Sequence, residues 1–370
     1  MLQIRLPLGM RDLVFEETQK KRQLQNRIES IFQSYGYEEV IAPTIEFLET
    51  YQKAFSSLKE QEMYKFFDAK SNTLALRMDM TVPIARICAS KYKDKEGPFR
   101  FRYCANVFKV RESFAGKRSE VTDCGVELIG LDDKSDLEVL CCALDTMQSF
   151  QACSYTLEIG NSSFFKKACA LLELPEDQIE TLARLVDQKS MVDLKTYLAS
   201  LQLSKEQEAF FLELPLLNGK DVLENAMQAS FDEELKEIVR KLQKLQENLK
   251  TLGYEDTITF DLGKVPHLDY YTGILFEGYV EGVGTSVLSG GRYDHLLNTF
   301  GKDMPAVGFS VKLDYLLDVI DSVSKKVLYL YYPMSKQLEA FQKAKELRKE
   351  KEVKLIPYEG TEIKIQEGVQ

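Results

Sequence analysis

The chain has 370 residues, enough to bury a large core, and its 44% hydrophobic and 29% charged content is that of an ordinary globular protein. A formal net charge of -10 repels phosphate backbones, so a surface dedicated to tRNA is not expected. Seven cysteines, at 88, 104, 124, 141, 142, 153 and 169, show no C-x-x-C spacing and only two histidines accompany them, which leaves no zinc pattern. Reduced, mostly buried thiols in a cytoplasmic protein are expected. Nowhere do eighteen apolar residues run together, and MLQIRLPLGMRDL lacks an apolar leader, so neither export nor a membrane span is expected.

Residues 12 to 35 place Leu24, Ile28, Ile31, Phe32 and Tyr35 three and four apart, which predicts an amphipathic helix stopped by Gly36. A strand through Val40 and Ile41 should end at Pro43, which cannot donate to a ladder. Alternation of Phe101, Tyr103, Ala105 and Val107 predicts a strand from Phe99 to Val110, returning as VTDCGVELIG after a turn at GKRSE. Ser135-Asp136-Leu137-Glu138 has the spacing of a capping box that opens a helix through Leu140 and Leu144. A further strand fits Tyr155 to Ile159.

From about 162 to 254 the pattern turns to leucine-rich helices broken at Pro175, Pro215 and Asn218-Gly219. The last of them aligns Leu235, Ile238, Val239, Leu242, Leu245, Leu249 and Leu252 before Gly253. Strand patterns return at Thr257 to Asp261, Ile274 to Val280 and Ala306 to Val311, so this stretch reads as a helical insertion in a sheet. Without regular βαβ alternation, residues 1–325 favour an antiparallel α+β core. The tail, 326–370, offers a strand at VLYLYY, a helix from Lys336 to Glu350 and a short strand at VKLIPY, too little for an independent α/β domain.

Several chemistries lack their motif. Gly282-Val283-Gly284 has neither a third glycine nor a following helix, so no dinucleotide loop is expected, and no G-x-x-x-x-G-K-[ST] run exists. Asp132-Asp133 is not followed by a phosphate loop and is better explained by the helix start. His267 and His295 have no recognisable nucleophile partner, which argues against histidine acid–base catalysis. Lys91 to Arg118 holds nine basic residues against three acidic ones, which fits either a solvated hairpin or a cluster that focuses an anionic ligand. Asp79, Thr81, Asp123, Glu127, Tyr270 and Tyr271 suit an amino-acid pocket, which needs carboxylates for an ammonium and oriented hydroxyls or acids for a polar side chain. Singly, each is more often a cap, turn or strand residue with satisfied hydrogen bonds.

LALRMDMTVPIAR, FRYCANVFKVRESFAGKRSEVTDCGVELIG, LDYYTGILFE, GGRYD and PAVGF together resemble the histidyl-tRNA synthetase family over about residues 5 to 320, including the position of the insertion. Gly36-Tyr37 through Pro43 and Glu46 resembles the dimer-forming first motif of class II synthetases. The resemblance implies a class II synthetase-like antiparallel sheet flanked by helices. It also implies histidine contacts at Asp79 and Thr81 for the ammonium, at Asp123 and Glu127, and at Leu268, Tyr270 and Tyr271 around the imidazole.

The departures from the family are as informative. Lys109 stands where an arginine meets the α-phosphate, Arg111 at an adenine-side glutamate, and Lys117 at the next loop arginine. Pro266 replaces the arginine before the tyrosine pair, and Tyr315 the arginine of a glycine-leucine-glutamate-arginine run. These losses remove the planar bidentate donors suited to a phosphoryl transition state, each typically worth about 2.7–4 kcal/mol of barrier, so adenylation is not expected. The tail is too short for the family's anticodon-binding domain.

The combination resembles the regulatory subunits of ATP phosphoribosyltransferase, synthetase-like proteins without aminoacylation activity. That resemblance implies no activity alone and no cofactor. It implies a homodimer within a hetero-octamer, a short-form catalytic subunit as partner, and feedback inhibition by histidine at the first step of histidine biosynthesis. The other readings are a histidine-tRNA ligase-like protein with residual amino-acid or tRNA binding, and a synthetase-like module for another partner.

Overall fold

The computed structural model describes residues 5–55, 58, 60–111, 118–150, 154–219, 221–265, 271–320 and 326–369. The turn residues Gly116 and Lys117, Cys153, and Pro266, His267, Leu268 and Tyr270 lie outside them. The chain divides into two compact units, Met1–Asp12 with Lys21–Ile320, and Leu13–Lys20 with Asp321–Gln370.

Helix α1 (Phe15–Ser34) buries Leu24, Ile28 and Phe32 on one stripe and ends at Gly36, whose φ of 80° is the left-handed stop its missing Cβ permits. The next strand, β1 (Glu38–Glu39), is shorter and earlier than the sequence pattern suggests. Val40 still donates to the Arg102 carbonyl at 2.9 Å, but Ile41 is 86% exposed, so nothing apolar holds the ladder as far as Pro43. β2 (Ile45–Phe47), α2 (Leu48–Ala54), β3 (Lys65–Phe67), β4 (Thr73–Leu76) and α3 (Thr81–Lys91) follow, the three strands forming a small antiparallel sheet in the order β2-β4-β3.

The main hairpin pairs β5 (Phe99–Phe108) with β6 (Glu120–Ile129). Helix α4 (Asp136–Gln148) then leads to β7 (Tyr155–Asn161). The capping box expected at Ser135 is not made. Ser135 instead donates to the Asp132 carbonyl at 2.7 Å, and Glu138 accepts two hydrogen bonds from Arg100 at 2.8 Å. A longer-range ion pair has outcompeted the local cap.

The insertion is helical as expected: α5 (Ser162–Leu171), α6 (Glu176–Asp187), α7 (Met191–Leu198), α8 (Lys205–Glu213), α9 (Val222–Ala229) and α10 (Glu233–Thr251), with β8 (Asn218–Gly219) between α8 and α9. The stripe on α10 buries Leu235, Val239, Leu242 and Leu249, whereas Leu252 lies past the helix end and is 54% exposed. β9 (Ile258–Asp261), β10 (Ile274–Val280), β11 (Leu288–Arg292) and β12 (Ala306–Lys312) complete the sheet.

Among the described residues the strand order is β1-β5-β6-β12-β11-β10-β7-β9-β8. Every pairing from β5 to β7 is antiparallel, while β1 and β9 join in parallel. The period of two separates the faces. On one side Phe309 meets Phe32 of α1 edge-on, with ring centroids 5.7 Å apart. On the other, Tyr103, Val107 and Val121 pack with Met80 and Ile84 of α3.

The same register sets Cys104 opposite Cys124 with Cα atoms 4.1 Å apart, and the two form a disulfide. This corrects the expectation of reduced thiols throughout, which holds for buried Cys88, Cys142 and Cys169 and half-buried Cys141. Compartment and spacing gave no access to a pairing that only strand register creates.

In the second unit, β13 (Lys326–Tyr332), α11 (Gln337–Leu347) and β14 (Glu352–Pro357) appear as expected, α11 ending three residues early. The helix buries Ala340 and Ala344 against Leu328, Leu330 and Val353. A strand missed in the sequence, β15 (Lys364–Val369), pairs antiparallel with β13. Its KIQEGV run carries too few strand-forming side chains to stand out.

Candidate functional site

A cavity of about 430 Å³ opens on the α3 side of the main sheet. Its floor consists of side chains that alternation directs to this face: Tyr103 and Val107 of β5, Val121, Asp123 and Glu127 of β6, Leu275 and Glu277 of β10, and Ser310 and Lys312 of β12. Glycines make the floor thin. A Cβ at Gly291 would come within 2.6 Å of the Tyr271 ring, and one at Gly308 would collide with the Glu127 carboxylate.

The turn into α3 supplies one wall. Met78 donates to the hydroxyl of fully buried Tyr51 at 3.2 Å, and Arg77 fixes the preceding residue through the carbonyls of Asn106 at 2.7 Å and Ala42 at 2.9 Å. Asp79 then accepts from the Val82 N–H at 3.1 Å, satisfying one of the helix's first amides, and Thr81 points its hydroxyl at Glu127, 2.9 Å away. The other Glu127 oxygen accepts from the Tyr293 hydroxyl. Of the expected site residues, Asp79, Thr81, Asp123, Glu127 and Tyr271 therefore line one cavity; Leu268 and Tyr270 lie outside the described residues.

Burial in the cavity disfavours the ionised forms of Asp79, Asp123 and Glu127. Burial pushes Glu127 up to about 8, despite the opposing hydrogen bonds from Tyr293 and Thr81. Burial also raises Asp79 and Asp123 to about 6, with Lys109 pulling both down and Lys312 acting on Asp123. Asp123 has a buried oxygen, Oδ1, without a hydrogen-bond partner. Such a site favours a ligand that brings a positive charge and N–H donors.

Cations share the same cavity: Lys109, Arg111, Arg118, Lys264 and Lys312 all contribute to the lining. Two are engaged: Arg118 lies 3.6 Å from Asp314, and Lys264 bonds Glu158 at 3.0 Å and Glu277. The basic segment 91–118 is thus split by strand alternation. Lys109, Arg111 and Arg118 line the cavity, while Arg100 and Arg102 pair with Glu138, Glu29 and Glu39. Tyr315 also lines it, and its hydroxyl accepts from the Arg118 N–H at 3.4 Å. Tyr293, Lys264 and Lys312 escaped the sequence reading; only the glycine run before Tyr293 marked a crowded floor.

Arg292, in the same GGRYD run, has a structural task. Only 4% exposed, it binds Asp136, Asp294, the carbonyls of Leu131 and Asp132, and Ser135, tying β11 to the start of α4. Asp132 in turn accepts from the Lys134 N–H, and Asp133 pairs with Lys241, so neither faces the cavity. Elsewhere, ligand atoms of Glu29, Cys104 and Cys124 lie within 4.8 Å of one another, but the disulfide withholds the thiolates a metal would need.

A class II synthetase-type sheet carrying an amino-acid-sized pocket is the class of protein that this fold and site define. The histidyl-tRNA synthetase family model matches residues 9–316. A histidyl-tRNA synthetase from Nostoc sp. PCC 7120 shares the fold at a TM-score of 0.79 with 22% identity, over 98% of this chain and 88% of that one. A solved structure described as an ATP phosphoribosyltransferase regulatory subunit/histidyl-tRNA synthetase, from Bacillus halodurans, reaches a TM-score of 0.87 with 30% identity, over 98% and 94% of the two chains. ATP phosphoribosyltransferase regulatory subunits of Clostridium botulinum (strain Langeland) and Caldanaerobacter subterraneus are 35% and 34% identical, spanning 88% and 94% of this chain and 80% and 92% of theirs. The chain belongs to the ATP phosphoribosyltransferase regulatory subunit family, a histidyl-tRNA synthetase-like group. No helix among the described residues is long and apolar enough to cross a membrane.

Proposed function

We propose that this chain is a non-catalytic regulatory subunit of ATP phosphoribosyltransferase, acting in the cytoplasm at the first step of histidine biosynthesis. It joins a short-form catalytic subunit in a hetero-octamer, is needed for that subunit's activity, and mediates feedback inhibition by histidine. Residues 1–325 form the synthetase-like body, with its insertion at about 162–254, and 326–370 a short tail. The helix and strand around residues 20 to 46 carry the homodimer contact. The observation that carries this reading is a pocket that keeps buried acids Asp79, Asp123 and Glu127 with Thr81 and Tyr271, yet has Lys109 and Tyr315 at positions where a synthetase has arginine. The acids that grip an amino acid are kept there, while the bidentate donors at these two positions are lost.

Histidine-dependent ATP–pyrophosphate exchange should therefore stay at background. Added to a short-form catalytic subunit, the chain should raise formation of phosphoribosyl-ATP, and histidine should lower it again. An unchanged partner rate would contradict the regulatory role. Glu127→Ala should blunt inhibition more than activation, because histidine must bind the inhibited and active assemblies unequally to shift them. Full histidine sensitivity in that variant would move the sensing site elsewhere.

A further inference from the structure

Asp123 and Lys312 are register partners across the β6–β12 ladder, and both line the cavity. Directly opposed side chains on antiparallel strands have Cβ atoms about 4.5–5.5 Å apart, close enough for opposite charges to join. Here they do not. Asp123 is 8% exposed with Oδ1 unpartnered, and no described acid forms an ion pair with Lys312. Lys109, which also lines the cavity, has no ion pair among the described residues either. Burial lowers the pKa of Lys312, with Asp123 opposing that shift and Lys109 adding to it, so the ammonium is held at a cost that no fixed partner offsets. Two neighbouring cations lack this freedom: Arg118 is committed to Asp314, and Lys264 to Glu158 and Glu277. Arg111 also has no ion pair among the described residues, but it follows the end of β5 and is not a ladder partner of Asp123.

We infer that Asp123 and Lys312 grip the two charged groups of a free α-amino acid, Asp123 taking the ammonium and Lys312, assisted by Lys109, the carboxylate. An α-amino acid carries both charges on one carbon, the spacing that two facing residues of a β ladder can bracket. The lysine is also an addition to the resembled pattern: the glycine-leucine-glutamate-arginine run reads Lys312-Leu313-Asp314-Tyr315 here. A side chain and a charge thus enter the cavity where the synthetase pattern has neither. An aminoacyl group whose carboxylate is esterified or bound to phosphate loses the anion that this lysine seeks.

This inference rests on the reading of the cavity as a histidine pocket and deepens it. Calorimetric titration of the full chain with histidine, histidinol, whose carboxylate is replaced by CH2OH, and ATP tests it. Histidine should bind at least tenfold more tightly than histidinol. Lys312→Met should remove that difference, weakening histidine but not histidinol, and Lys312→Arg should keep it. Equal affinities for the two ligands in the unsubstituted chain, or an equal loss of both in Lys312→Met, would overturn the role of Lys312 while leaving the pocket intact. ATP binding that depends on Lys312 would assign the lysine to a phosphate instead. No heat with histidine at all would overturn the histidine reading together with this one.

Discussion

Two groups of buried charge lie on the same sheet and differ in one respect. Around Arg292 every charge has a partner: Asp136 and Asp294 accept from the guanidinium, and backbone carbonyls and Ser135 take the remaining donors. On the cavity floor, Asp123 and Lys312 face one another unpaired, with Lys109 nearby. A satisfied network specifies the fold, whereas buried charge left without a partner in a cavity suits a ligand that supplies the missing one.

Arg292→Met should have the largest effect, costing about 3–5 kcal/mol because Asp136 and Asp294 are left without their cation. Urea unfolding measures it, and a loss under about 1 kcal/mol would remove the distinction between the two groups. Gly308→Ala should cost about 1–3 kcal/mol, since the new methyl group collides with Glu127 and the Val126 carbonyl and forces the strands apart. Unfolding of that variant with the same midpoint as the parent would mean that the floor is not tightly packed.

The buried acids should also set a pH dependence. The pKa of Glu127 is raised from 4.5 to about 8 in the folded chain, so between these values the folded state holds a proton that the unfolded state has released. Its stabilising contribution is complete below pH 4.5 and is lost as pH rises toward 8, at up to about 1.4 kcal/mol per pH unit. Asp79 and Asp123 act in the same direction at lower pH, their values being about 6. Glu127→Gln should flatten the slope of unfolding free energy between pH 6.5 and 8; an unchanged slope would place the titrating group elsewhere.

Much of this architecture is legible in the sequence. Strand patterns located β5, β6, β10 and β12 within two residues, although β6 is buried along nearly its whole length on both faces. The leucine pattern marked the insertion. What stayed hidden depends on partners distant in the chain. Ser135 left its expected cap because Arg100 captured Glu138, and the Cys104–Cys124 bond exists only through strand register. For the pocket, the family resemblance pointed to Asp79, Thr81, Asp123, Glu127 and Tyr271. Lys312 and Tyr293 gain meaning only once β12 is folded between β6 and β11. A lysine at the end of a strand resembles any solvated charge until its neighbours are known.

Thermal unfolding of the unsubstituted chain and of Asp123→Asn, each with and without saturating histidine, tests most directly whether the unpaired charges are reserved for a ligand. Without ligand, Asp123→Asn should unfold at a higher temperature, because a buried carboxylate lacking a hydrogen bond at Oδ1 has been neutralised. With histidine the order should reverse, the unsubstituted chain gaining stability as binding predicts and the variant gaining little. An Asp123→Asn chain that is less stable when empty, yet gains as much from histidine as the parent, would mean that Asp123 serves the fold and not the ligand.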